Sequence, residues 1–189
     1  MDLIETCRSK DTEKALGLIM NNDTNLGIVD SHGRTALMWA CSYEMKEVAL
    51  ELIKTGHAKP EQVDNYGNTA LIWTCRKAMK EVALELIKTG KSNPDPIDNF
   101  GYTALILACQ HVMKEVALKL IKTGKSNPAY IDKNGNTSLS WACEKGMKEI
   151  AYELVSVGAF TIYDLMSLKP EWVQELFIMH PVDVTEVDI

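Results

Sequence analysis

The chain is poor in the features that would tie it to a membrane, a nucleic acid or a metal. No apolar run in its 189 residues approaches the ~18 needed to span a bilayer. The opening stretch Met1-Asp2-Leu3-Ile4-Glu5-Thr6-Cys7-Arg8 is charged too early to read as a signal peptide, so export is not expected. Position 2 is Asp2 rather than the glycine that myristoylation requires, and no cysteine stands at the C-terminal end for prenylation. Basic charge is short: 20 Lys and Arg face 26 Asp and Glu, a net charge of −6. A phosphate-backbone binder normally carries a basic footprint, so nucleic acid is not the expected partner. Walker loops, dinucleotide fingerprints and zinc-spaced Cys/His sets are missing, so no cofactor and no metal is expected.

What is present is an ordinary globular composition, 46% apolar and 24% charged, in a length that allows one domain or two small ones. The charge is unevenly spread. Between Glu153 and Ile189 seven acids face one base, Lys169, and residues 1–152 are balanced. An acidic tail of this kind follows a neutral body and is read first as solubilising.

Cysteine spacing gives the architecture. Cys7, Cys41, Cys75, Cys109 and Cys143 follow one another at intervals of 34 residues. A fixed period in this range means stacked repeats. Four units align, 30–63, 64–97, 98–131 and 132–165, each opening on an aspartate or its register equivalent: Asp30, Asp64, Asp98 and Asp132. The stretch Met45–Gly56 recurs letter for letter at 79–90, and with the single change Lys119 at 113–124. Equivalent positions in neighbouring units lie about 8–10 Å apart. A disulfide needs Cα atoms within about 7 Å, so the cysteines are expected to stay free and to fill the core. That suits a reducing compartment, and the sequons at Asn22 and Asn136 are then chance matches.

Within 30–63 the residues dictate a turn and two helices. Asp30-Ser31-His32-Gly33-Arg34 is turn-like, and Thr35 stands where a helix needs its cap. Leu37, Ala40 and Cys41 make the buried face of a short first helix. A second begins near Lys46, buries Val48, Ala49, Leu52 and Ile53, and ends at Gly56. Helices this short fall below the ~12–15 residues at which isolated helices become marginal, so stacking must hold them.

The run Gly33-x-Thr35-Ala36-Leu37-x-x-Ala40-Cys41, followed by Val48-Ala49-x-x-Leu52-Ile53-x-x-Gly56, resembles the ankyrin repeat. The resemblance covers roughly residues 1–165 and implies an all-α ankyrin-repeat solenoid of helix-turn-helix units with hairpin-like loops. Residues 1–29 then form an N-terminal capping repeat, with Cys7 in register and Leu16, Leu18 and Ile19 on its second helix. Residues 166–189 are a C-terminal capping helix and acidic tail, with short helices expected at 162–167 and 171–179. The chain departs from the usual motif where Glu44, Ala78 and Val112 replace the glycine after the first helix, which only Gly146 retains. Met45, Met79, Met113 and Met147 replace the following histidine, Thr35-Ala36-Leu37-Met38 replaces the usual signature, and the unit is one residue long.

No catalytic residues are expected. Cys109 and His111 are two apart on a helix and do not face each other, and the carboxylates recur as a solvated face. Differences between the units mark the candidate site instead. They gather at the hairpin tips, in His32 and Arg34, Tyr66 and Asn68, Phe100 and Tyr102, Asn134 and Asn136. They also gather on the first helix, in Trp39 and Tyr43, then Trp73, Arg76 and Lys77, then Leu107 and His111, then Trp141 and Lys145. The resemblance implies that these positions line a concave surface that binds another protein, the aromatics acting as anchors and Arg34, Arg76 and Lys77 choosing acidic complements. For Trp39, Trp73 and Trp141 two readings stay open, a structural ladder and an interface. The function expected is therefore a non-catalytic interaction module, monomeric and cytoplasmic or nuclear. So uniform an array also resembles ankyrin proteins of viruses and pathogens, which would put it in host-cell cytoplasm. The alternatives are a ubiquitin-ligase substrate receptor acting through its tail, where 168–177 faintly resembles an F-box opening, and a structural or designed scaffold. The ending Val187-Asp188-Ile189 also fits a short carboxyl-terminal ligand, though a frayed terminus explains it as well.

Overall fold

The turn at the head of each unit is closed by its own aspartate. Asp64 Oδ1 accepts the backbone N–H groups of Tyr66 and Asn68 at 2.9 and 2.8 Å, and Asp98 and Asp132 repeat the arrangement. This is seen in a computed structural model that describes residues 2–21 and 25–157. The expected segments at 162–167, 171–179, 168–177 and 187–189 lie outside the described residues.

Among those residues there are ten helices, with one isolated bridge between Val29 and Thr35. The first helices of successive pairs are α1 (Leu3–Arg8), α3 (Ala36–Ser42), α5 (Ala70–Arg76), α7 (Ala104–Gln110) and α9 (Ser138–Glu144). The second helices are α2 (Thr12–Met20), α4 (Lys46–Thr55), α6 (Lys80–Lys88), α8 (Lys114–Lys122) and α10 (Lys148–Ser156). No helix among the described residues is long and apolar enough to cross a membrane.

Threonine caps each first helix of the four full units. Thr35, Thr69, Thr103 and Thr137 accept from the backbone N–H three residues on at 3.1–3.2 Å, which satisfies a donor the helix itself leaves orphaned. The chain then reverses through one left-handed residue. Glu44, Ala78 and Val112 take φ of 61°, 51° and 57° where Gly146 takes 64°. The substitutions therefore keep the backbone of the usual glycine, each at a cost of about 1–2 kcal/mol in strain. The methionine that follows sends its N–H back to the first helix, Met45 to Ala40 O at 2.9 Å and Met113 to Ala108 O at 2.8 Å. Met45, Met113 and Met147 are buried, so an apolar side chain fills the corner that a histidine usually occupies.

First helices pack on first helices and second on second along the stack, from α1 and α2 to α9 and α10. The core is one continuous cluster from Leu3 to Val155. The hairpins approach so closely that Gly101 has room for no side chain: a Cβ there would lie 2.9 Å from the backbone nitrogen of Lys133. Asn65 N and Asn99 N donate to His32 O and Tyr66 O of the preceding turn, both at 2.9 Å. On the opposite edge Lys80 pairs with Glu115 at 2.7 Å and Lys46 with Glu81, so the recurring Met-Lys-Glu links one second helix to the next. These pairs are exposed and screened by solvent, so they add little to stability.

All five cysteines are buried and unbridged. Burial raises the thiol pKa of Cys7, Cys75 and Cys143 from 9.0 to about 12, and pushes Cys41 and Cys109 up as well. At neutral pH a thiol-disulfide reagent should therefore modify the native chain only as fast as it unfolds, and should count five thiols after denaturation. A burst of one or more equivalents before unfolding would contradict the packing. Folded thiols keep protons that unfolded ones release, so this contribution to stability is intact below pH 9 and should fall as pH rises towards 12.

Candidate protein-binding face

The variable residues lie on the side of the stack built from hairpin tips and first helices, and the two halves of that side differ. In the N-terminal half, cations and rings alternate. Lys10 Nζ lies 4.7 Å from the Tyr43 ring centre, Tyr43 stacks on Trp39 at 5.6 Å, and Arg8 lies 5.4 Å from Trp39. Arg34 lies 4.8, 5.4 and 5.1 Å from the rings of Trp39, Tyr66 and Trp73, and Arg76 lies 5.0 Å from Trp73. Each contact of this kind contributes about 0.5–1 kcal/mol where exposed and more where water is excluded.

Both arginines also neutralise the buried aspartate of the next unit. Arg34 Nε donates to Asp64 Oδ2 at 3.0 Å. Arg76 pairs with Asp98 and donates to Asn68 Oδ1 at 3.1 Å. The expectation that these guanidinium groups select acidic partners is thus corrected, because their charge is already matched inside the stack. Lys77 and Lys145 are likewise engaged, with Glu44 at 3.5 Å and Glu144 at 2.8 Å.

Two further expectations are corrected. Asn68 is 4% exposed rather than at the surface of a tip, since its side-chain amide donates to both oxygens of Asp64. Leu107 is 2% exposed, because it replaces tryptophan and sinks wholly into the core instead of standing on the first-helix face. Trp39, Trp73 and Trp141 are half-buried against the core. Trp39 Nε1 donates to Asp30 Oδ2 at 2.9 Å, whereas Trp73 Nε1 is buried without a partner among the described residues. In the first two units the tryptophans join the ladder through the Arg34 guanidinium that lies against both rings.

The tips are different. Phe100 is 65% exposed and Tyr66 42%, and His32 stacks on Tyr66 with ring centres 6.2 Å apart. Tyr102 is half-buried, and its hydroxyl accepts from Asn134 Nδ2 at 3.3 Å. Asn136 closes the last turn through its backbone N–H. His111 is exposed, and partial desolvation with the nearby Arg76 and Lys145 cations holds its imidazole below the ordinary value.

A family model described as ankyrin repeats, three copies, matches residues 3–95 and 80–163. The chain belongs to the ankyrin-repeat family. Ankyrin repeats generally serve as protein–protein interaction modules, and proteins built from them are typically non-catalytic. Among curated proteins no match to the chain is found. A hollow on the second-helix side is lined by Glu44, Lys46, Lys77, Lys80, Glu81 and Glu115, whose charges pair among themselves.

The residues that the sequence reading passed over are Asp64, Asp98 and Asp132. Their recurrence at the head of every ankyrin unit was the available signal, but it served only to mark the register. The ladder predicts that Trp73→Ala costs about 3 kcal/mol in denaturant melts, as truncation of a packed tryptophan does. Phe100→Ala should stay within about 0.5 kcal/mol of the parent. Equal effects at the two positions would refute the division between ladder and tip.

Proposed function

We propose that the chain is a non-catalytic module that binds another protein across its concave face, with the tip rings His32, Tyr66 and Phe100 as its apolar strip. The observation that carries this reading is the exposure of Phe100 and Tyr66 on successive tips. Neither ring is needed for the turn beneath it, which the Asp98 and Asp64 carboxylates close through backbone N–H groups alone. Contiguous exposed rings favour association, and aromatic residues supply a large share of interface energy. Ile97 and Ile131, 38% and 58% exposed at the foot of the turns, add apolar surface to the same edge.

Specificity then resides in the face where the units differ. The second helices, which repeat nearly unchanged and match their charges to one another, supply the scaffold. The test is affinity capture from a cytosolic extract with three chains of equal stability: the parent, Tyr66→Ser with Phe100→Ser, and Lys80→Ala with Glu81→Ala. The tip variant should lose its captured proteins at least ~10-fold, equivalent to 1.4 kcal/mol, and the second-helix variant should keep them. The opposite pattern would put the partner on the convex side.

A further inference from the structure

The inter-unit pairing that holds Asp64 and Asp98 stops at Asp132. In all three units Oδ1 of the aspartate accepts the same two backbone N–H groups, so the carboxylates share one orientation and Oδ2 faces the same slot beneath the preceding unit. In that slot Asp64 meets Arg34 and Asp98 meets Arg76. Asp132 is equally buried, 4% exposed, yet among the described residues its Oδ2 has no hydrogen-bond partner. The register places Tyr102 where Arg34 stands and Gln110 where Arg76 stands, so the third unit supplies no cation. The indole N–H of Trp141, which stands nine residues after Asp132 as Trp39 stands after Asp30, is buried and unpartnered among the described residues, as is that of Trp73 in the second unit. It is therefore the carboxylate without a cation that sets the fourth unit apart.

A direct Trp141–Asp132 hydrogen bond, like that of Trp39 to Asp30, would satisfy one lone pair and leave the charge. Asp30 tolerates this because its side chain is 16% exposed and has His32 Nδ1 at 3.9 Å. For the more deeply buried Asp132, a carboxylate without a cation is the costly arrangement. The cations nearby are engaged elsewhere. Lys133 Nζ bonds Asn99 O, and Lys145 Nζ lies 5.2 Å from the Trp141 ring centre while paired with Glu144.

We propose that the slot bounded by Tyr102, Gln110, Asp132 and Trp141 receives the guanidinium of an arginine from the bound protein, which pairs with Asp132 Oδ2 as Arg34 pairs with Asp64. The partner thereby completes the ladder that the chain itself builds in its first two units. Arginine fits better than lysine, because a planar fork can pair with the carboxylate while lying against a ring, as Arg34 and Arg76 both do. The inference rests on the concave-face reading and adds the chemistry of one residue on the partner.

The test uses the full chain and a small probe. The indole N–H resonance of Trp141 is followed by two-dimensional NMR while acetyl-arginine amide is added, with the neutral isostere acetyl-citrulline amide as control. A single side chain should bind in the ~1 mM range. Trp141 should shift saturably with the arginine compound, at least ~10-fold more weakly with citrulline, while Trp39 and Trp73 stay in place. Gln110→Arg, which supplies the guanidinium from within as Arg76 does, should raise the melting temperature and abolish the shift. Asp132→Asn should abolish it too. A Trp141 signal that does not move, that responds equally to citrulline, or that still shifts in Gln110→Arg overturns the slot. Any of these results obtained while the tip variant still loses its captured proteins would remove the arginine alone and leave the concave-face reading standing.

Discussion

The aspartate at the head of each unit does two jobs at once, and the stack depends on both. One oxygen gathers two backbone N–H groups and fixes the turn; in Asp64 and Asp98 the other meets an arginine of the preceding unit. Local geometry and the inter-unit link therefore share one carboxylate. A buried charge with good partners on every side is tolerated, and loss of a partner costs several kcal/mol. Arg34 is held in turn between the rings of Trp39 and Trp73, and Arg76 lies against Trp73, which is why Trp39 and Trp73 belong to the fold even though they line the face that ankyrin proteins use for binding.

This divides labour along the array. The first two full units each hold the unit that follows, Arg34 through Asp64 and Arg76 through Asp98, with Asn68 bracing the second link from within its own unit. In the third unit Leu107 withdraws into the core and Tyr102 and Gln110 bring no charge, so the ladder ends before the fourth. The second helices show the reverse: near-identity in sequence, with Lys46 to Glu81 and Lys80 to Glu115 repeating one exposed pairing from unit to unit. The left-handed Glu44, Ala78 and Val112 show that stacking also tolerates backbone strain that an isolated helix pair of this length would not.

The period of 34, the threonine caps and the buried faces could be read from the sequence because each is a local pattern repeated in register. Contacts between units could not. Arg34 meets an aspartate 30 residues on and Arg76 one 22 residues on, so two guanidinium groups that look available along the chain are already matched in the fold. Asn68 and Leu107 misled for a related reason. A polar or variable residue reads as exposed, but the first is drawn in by a buried carboxylate and the second is small enough to fit where tryptophan does not. Two of the three tip rings were legible, since a turn closed by its aspartate gives Tyr66 and Phe100 no interior to enter. Tyr102, expected on an exposed tip, is instead half-buried against the core with its hydroxyl accepting from Asn134.

The central claim is that the Arg76–Asp98 contact joins neighbouring units. A double-mutant cycle on unfolding free energy, using Arg76→Ala, Asp98→Asn and the double variant, tests it most directly. The account predicts a coupling of about 2 kcal/mol between the two positions, within the ~0.5–3 kcal/mol found for residues in one network. A coupling below about 0.5 kcal/mol, the level at which distant sites simply add, would contradict it.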